Sequence, residues 1–241
     1  MKSKYLILGV TAIVCVVLLG RYYTYKYRAQ ETVTVTGLGE TEFISDLIVW
    51  SGVLTAEAEN VARGYAEIEA GKAKVQKFLA ERGLPAEAVV FEFVNVEKQY
   101  TAIYNANGNW AGQRFTGYLL RQRFTVESNE VEKVEAISRE ISSLMAQGVG
   151  IEVMAPDYYY TKLDDVKMGL IETASADART RAEKIARNAG AKLGRVASAR
   201  MGVFQITGAN TNEEFSAGGS FNTSSRQKKA RITMRLEYRV K

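Results

Sequence analysis

Titratable residues crowd into one stretch, "ASADARTRAEKIARNAGAKLG" over residues 174–194, where Asp177, Arg179, Arg181, Glu183, Lys184 and Arg187 are spaced by small residues. Two kinds of chemistry suit such a set: a basic helix gripping a polyanion, or acid and base groups held for catalysis. Adjacent acids at Asp164-Asp165 and Glu213-Glu214 offer carboxylate pairs of the glycosidase type, and Tyr158, Tyr159 and Tyr160 offer an aromatic contact. Against these stands an absence. The chain has no histidine, which removes Ser-His-Asp and Cys-His machinery and nearly all zinc, copper and haem sites. No run has the spacing of a calcium loop, and the glycines of residues 207–226 lack the setting of a phosphate cradle. No catalytic residue, cofactor or metal is therefore expected.

The charge balance argues against a polyanion. The net charge is +5, from 32 basic and 27 acidic residues. Lys2, Lys4, Arg21, Lys26 and Arg28 carry that surplus before any acid occurs, so the remainder of the chain is neutral. A nucleic-acid-binding domain shows its own basic excess, and none is expected here. The same N-terminus joins basic residues to an apolar run over residues 5–19 and then to "GRYYTYKYRAQ". Lys4 can snorkel and the tyrosines suit a membrane interface, although a full span takes roughly twenty residues. Residues 1–29 are read as a signal-anchor and juxtamembrane segment, holding a lipid bilayer through residues 5–20. A cleaved secretory signal is the alternative, but Arg21 and the tyrosines leave no small-residue cleavage site. Cys15 is the only cysteine, so no disulfide staples the body.

Residues 30–241 form that body, with a possible division into two subdomains near 148–160. "ETVTVTGLGE" and "FISDLIVWSGVLT" read as strands. Val61, Tyr65, Ile68, Val75 and Leu79 recur as the stripe of a helix stopped by Gly83 and Pro85. Two strands face each other across "NANGNWAG", where Asn107-Gly108 is a turn signal. Asn129 and Glu132 compose a capping box for a second helix. A strand over "VGIEVMAPDYYYT" then runs into a loop, in which alternation leaves at least one tyrosine exposed. Thr161 and Asp164 open a third helix, "KLGRVASARMGVFQIT" follows as strand, and "ARITMRLEYRVK" alternates cleanly. Its apolar set is Ile232, Met234, Leu236, Tyr238 and Val240. The order gives an α+β fold, antiparallel sheet covered by three helices and preceded by one N-terminal membrane-anchor helix. Residues 207–226 read as disordered or an exposed hairpin, or as a flap whose Phe215 and Phe221 touch a partner.

On a helical wheel Leu163, Leu170, Ile171, Ala174, Ala178, Ala182, Ile185 and Ala189 fall in one arc. Arg179, Glu183 and Arg187 lie opposite, as an exposed ladder worth a few tenths of a kcal/mol per pair. Asp177 and Arg181 sit at the arc's margin, where a partly desolvated pair can fix the helix's orientation. The stretch thus reads as a structural helix whose alanines allow close approach to a sheet.

Those residues resemble the signature of the SIMPL-domain family, an alanine-rich helix followed by G-x-x-L-G. Ala176, Asp177, Ala178, Arg181, Ala182, Glu183, Gly190, Leu193 and Gly194 match it, and "VTVTGLGE", "PDYYYTKLDDVK" and "GVFQIT" extend the likeness over roughly residues 31–241. The resemblance implies a bacterial envelope protein of α+β fold that forms homo-oligomers, with no established reaction and suggested links to envelope or oxidative stress. With the N-terminus it implies a single-pass inner-membrane protein whose C-terminal body is periplasmic, or a secreted or periplasmic one after cleavage. The functional expectation is a non-enzymatic, tethered homo-oligomer. Its rivals are a module binding a small ligand or cell-wall component through Tyr158, Tyr159, Tyr160 and the 207–226 flap, and a histidine-free carboxylate hydrolase.

Overall fold

The computed structural model of the chain describes residues 2–28, 31–213 and 216–241, leaving aside the side chains of residues 2–8, 12 and 26–28. Its elements run α1 (Lys2–Arg28), β1 (Thr32–Ile44), β2 (Leu47–Ala58), α2 (Val61–Glu81), β3 (Val89–Tyr104), β4 (Trp110–Ser128) and α3 (Val131–Glu140). After these come β5 (Ile151–Val153), β6 (Asp157–Tyr159), α4 (Leu163–Asn188), β7 (Leu193–Met201), β8 (Gln205–Gly208) and β9 (Gln227–Val240). The fold is α+β with antiparallel sheets and, among the described residues, four α-helices.

Two sheets divide the body. One has the order β3-β4-β2-β5, with β6 also on β2; the other has the order β1-β9-β7, with β8 also on β9. β1 and β2 are neighbours in the chain but belong to different sheets. β1 instead pairs β9 along its whole length, from Thr32↔Arg239 to Ile44↔Gln227. Each sheet has its own core. Trp50, Leu54, Phe124, Val134, Ile141 and Tyr158 belong to the first, and Leu170, Ala178, Ile206, Ile232 and Leu236 to the second. The chain passes between cores at Ser45–Asp46 as well as after β6.

α2 and α3 pack on the first sheet and α4 on the second. The stripe on α2 differs from expectation. Val61 and Tyr65 are 40% and 49% exposed, while Gly64, Ile68, Gly71, Val75, Phe78 and Leu79 are buried. A Cβ on Gly64 would lie 2.3 Å from Leu120 Cδ1, so the glycine sits where the helix meets the sheet and the aromatic ring turns outward. On α3 the capping box is absent. Glu130 is the N-cap and makes no side-chain cap bond; the Asn129 amide donates to the Asp46 carbonyl at 2.8 Å, and Glu132 pairs with Arg226. A long-range partner displaces the local one. Thr161 likewise does not cap α4, which begins after Lys162; both its backbone N–H and its hydroxyl donate to the Asp46 carboxylate, at 2.8 and 2.7 Å.

β9 shows the expected alternation, with Ile232, Met234, Leu236 and Tyr238 buried. The single strand expected after α4 is broken into β7 and β8 around Gly202, both pairing β9. The tyrosine segment forms β6 rather than a loop.

α1 contains the apolar run, and its described side chains are exposed, Val16 and Leu19 by 69% and 67%. Among the described residues no helix is long and apolar enough to cross a membrane. The side chains of residues 5–8 and 12, part of the expected bilayer segment, lie outside the described set.

Candidate functional site

The titratable stretch is a fitting between α4 and β1. Its buried line is Leu170, Ala174, Ala178, Ala182 and Ala186, one every four residues; Ile185 is 47% exposed and Ala189 is exposed, both outside the arc expected for them. Opposite stand the two glycines of "VTVTGLGE". A Cβ on Gly37 would fall 2.1 Å from the Ala174 carbonyl oxygen and 2.5 Å from the Ala178 nitrogen; one on Gly39 would fall 2.5 Å from the Leu170 oxygen. Glycine on the strand and alanine on the helix bring the two backbones into contact, which larger side chains would prevent.

Asp177 completes the fitting. Its carboxylate accepts from the Leu38 backbone N–H at 2.9 Å and from Arg181 Nε at 3.0 Å. β1 has β9 on one side only, so Asp177 satisfies an edge N–H that no strand reaches. The hydrogen bond from Arg181, then that from Leu38, holds the Asp177 carboxyl below its ordinary pKa. A depressed carboxyl stabilises the fold above its unfolded pKa, and that contribution fades as pH falls through the folded value. Asp177→Asn is expected to lower stability by roughly 0.5–1.5 kcal/mol at neutral pH, a fall in Tm of about 2–4 °C per kcal/mol for a body of this size. In strong acid the variant and the parent should melt together. Melting scans at several pH values check it, and equal Tm at neutral pH would remove the fitting role.

The rest of the signature is local. Glu183 pairs with Arg179 at 2.9 Å on the exposed side. Gly190 takes φ +73° as α4 ends, with the Ala191 N–H closing onto the Ala186 carbonyl. Leu193 packs on the second core, and a Cβ on Gly194 would meet the Arg239 carbonyl oxygen at 2.7 Å.

The tyrosines and the 207–226 segment meet at the joint between the sheets. The Tyr158 N–H donates to the Thr223 carbonyl at 2.7 Å, and Thr223 Oγ1 donates to Asp157 at 2.8 Å. None of the three tyrosines is fully exposed: Tyr158 is in the first core, Tyr159 is half-buried, and Tyr160 stacks on Phe43 at 4.7 Å. Burial raises the Tyr158 phenol above its ordinary pKa. In the segment itself Glu213 accepts from Asn222 and from the Gly208 N–H, and Lys228, 2% exposed, donates to the Asn222 carbonyl at 2.5 Å. Burial lowers the Lys228 pKa. Phe221 is 56% exposed; Phe215 and Glu214 lie outside the described residues.

Beside this joint is a recess of about 430 Å³ lined by Ser45, Asp46, Asn129, Lys133 and Arg226 among others. Lys133 pairs with Glu130, and Arg226 with Glu132 and Glu135; the Ser45 hydroxyl is buried without a partner. Asp164, of the other acid pair, is on the first turn of α4 and pairs with Lys167. Among the described residues no group of three or more Cys, Asp or Glu side chains is placed to hold a metal ion.

The surface that residue types did not single out is the β3–β4 hairpin. Its register puts Val96 opposite Leu120, Lys98 opposite Tyr118, Tyr100 opposite Phe115 and Tyr104 opposite Trp110 on one face. Leu120 is buried beneath Gly64 of α2. Beyond it the face continues past the helix, with Tyr100, Tyr104, Trp110 and Phe115 exposed by 48%, 63%, 69% and 44%. Edge-on ring contacts join Tyr100 to Phe115 and Phe115 to Tyr118, with centroids 5.8 and 5.1 Å apart. A signal was present in the sequence: residues 99–113 carry no charge, and residues 98–126 contain no acid.

Two antiparallel sheets with separate cores, one carrying the long aromatic hairpin and the other the helix–strand fitting of small residues, define an α+β body. The chain matches the model of the SIMPL family, described as a protein of unknown function, over residues 33–239, and it belongs to that family. No curated protein matches it.

Proposed function

We propose that this chain is a non-enzymatic envelope protein, tethered to a membrane by its N-terminal helix, whose exported body assembles with copies of itself. The observation that carries this is the aromatic face of the hairpin, left uncovered by the body's own helices. Exposed apolar surface on that scale marks a contact site. The tether is supported by α1, whose described apolar side chains project on every side without packing into the body, and by a leading segment with five basic residues and no acid. In this reading the body lies in the periplasm. A part in envelope or oxidative stress follows only from the family resemblance.

Tethered copies share an orientation and a raised effective concentration. The full chain in detergent is therefore expected to scatter light as a multiple of the 26.7 kDa protomer, and the body from residue 30 to assemble more weakly. Monomeric mass for both would refute the assembly.

A second reading, a module for a small ligand or cell-wall component, has the joint recess and its unpartnered Ser45 hydroxyl in its favour. Protection of that recess from solvent exchange on adding cell-wall fragments would support it.

A further inference from the structure

We propose that the open edge of β2 beside α2 is a docking site for the C-terminal end of an extended peptide, which adds a strand in line with β5. The peptide seats its last side chain between β2 and α2 and brings its carboxylate to Lys74. The site is separate from the hairpin face and does not depend on assembly.

The edge is open because β5 is short. β5 covers β2 from Gly52 to Leu54, and the chain before it turns aside at Gly148, which takes φ +75°. The Thr55 N–H still donates to the Gly150 carbonyl at 2.9 Å, and the Ser51 carbonyl accepts from the Met154 N–H at 3.2 Å. Backbone groups two residues apart on a strand point to the same side, so those of Glu57 face the side on which, among the described residues, no further strand pairs with β2. On β1 an edge N–H, that of Leu38, is taken by Asp177; among the described residues nothing takes that of Glu57. A free edge N–H and C=O are a template for another strand.

α2 returns along β2 and walls this edge. A Cβ on Gly64 would lie 3.3 Å from the Ala58 Cβ, and one on Gly71 would lie 3.4 Å from Leu54 Cδ2 and Val149 Cγ1, so the helix runs from the end of β2 back toward Gly150. Between them is a recess of about 250 Å³ whose lining includes Ala56, Ile68, Ala70, Gly71 and Val149. The small residues of α2 leave room there for an aliphatic side chain. Side chains alternate along a strand, so the peptide's last side chain enters the recess while the one before it points away from α2, beside Glu57.

Charge fixes the occupant and its direction. Glu57 and Glu67 line the recess toward the end of β2, and Glu59 follows at that end. Glu67 pairs with Arg63 at 3.2 Å, while Glu57 and Glu59 are exposed and, among the described residues, without an ion pair. Arg121, across from Thr55, is engaged by Glu152 at 3.1 Å. At the other end Lys74 donates to the Gln147 carbonyl at 2.8 Å, and among the described residues no ion pair involves it. Acid at one end and an ammonium at the other select a peptide that ends in a carboxylate at Lys74 and carries a basic residue just before its last. That direction is antiparallel to β2, as β5 is. A parallel peptide would bring its ammonium to Lys74 and its carboxylate to the glutamates.

Fluorescence anisotropy of an amino-terminally labelled Ser-Thr-Val-Lys-Val peptide, added to the full chain in detergent, tests this. Saturable binding with a Kd below about 1 mM is expected. Amidating the peptide's carboxylate, and separately Lys74→Gln, should each raise the Kd about fivefold, the scale of an exposed ion pair. Methylating the backbone nitrogen of the peptide's lysine, which donates to the Glu57 carbonyl, should weaken binding by a comparable factor. Glu57→Lys should shift preference to the same peptide with glutamate in place of its lysine. Ala70→Leu, at an exposed position of α2, fills the recess and should abolish binding. Near-ultraviolet circular dichroism is the control for folding. If the peptide does not bind saturably, or if its amidated form binds as well, the inference fails. If Ala70→Leu binds as the parent does, the peptide lies elsewhere and the inference fails too.

Discussion

Gly37→Ala, a single added methyl group on β1, is expected to destabilise the second core by about 3 kcal/mol or more. Overpacking a core ordinarily costs about 1–3 kcal/mol because side chains can shift to make room. Here the new carbon meets backbone, 2.1 Å from the Ala174 oxygen and 2.5 Å from the Ala178 nitrogen, besides the Ala178 Cβ at 2.7 Å. Relief requires α4 to lift off β1. That movement breaks the hydrogen bond from the Leu38 N–H to Asp177 and separates Ala174 and Ala178 from the sheet together. A fall of roughly 10 °C in Tm is the corresponding shift. Gly169→Ala, on the same α4 with nothing within 4 Å of its added carbon, is the internal control. It should raise stability by about 0.5–1 kcal/mol through helix propensity alone. Paired thermal scans decide the matter, and a Gly37 variant melting with the parent would mean that α4 does not depend on close approach.

Trp50→Ala is the comparable lesion in the first core, with an expected cost of about 3–5 kcal/mol. Trp50 has no exposed surface, packs edge-on against Phe124 at 5.6 Å, and donates Nε1–H to the Met154 carbonyl at 3.0 Å. Its removal leaves a cavity under β4 and an unpaired carbonyl at the end of β5. Collapse is restricted, because Phe124 and Leu54 are fixed by ladders on both sides of their strands. Equilibrium unfolding in urea, followed by far-ultraviolet circular dichroism, gives the loss directly. A change below about 1 kcal/mol would show that the sheet can close over the gap.

The two lesions mark where function and fold part company. Of the residues that look reactive, Asp177 and Arg181 serve one of the closest backbone contacts in the body, and Glu183 pairs with Arg179 on the exposed side. The residues with the most unspent surface, Trp110 and Tyr104, are among the least reactive in the chain. The proposed assembly draws on the second set of residues.

Much of the local structure was readable before any coordinates. The period-two pattern of β9 places Ile232, Met234, Leu236 and Tyr238 inward, and Asn107-Gly108 marks the turn between β3 and β4, where Gly108 takes φ +77°. These signals depend on a residue and its near neighbours, which is why they survive in isolation. Caps were less secure. Asn129 and Thr161 have the right type and spacing, yet each is drawn to Asp46, more than eighty positions away in the chain. A hydrogen-bonding side chain takes the partner that folding presents, and sequence spacing does not include that partner.

By itself, then, the sequence determined the periodicities, the small-residue signature with its family, the neutrality of the body and the charge at its front. Only the tertiary structure decided what the small residues were small for, because Gly37 and Ala178 are brought together across some 140 residues by β1 joining β9 instead of β2. It also decided which apolar surface stays uncovered. Burial of an aromatic depends on whether another element passes over it, and α2 begins level with Leu120, leaving the distal hairpin bare.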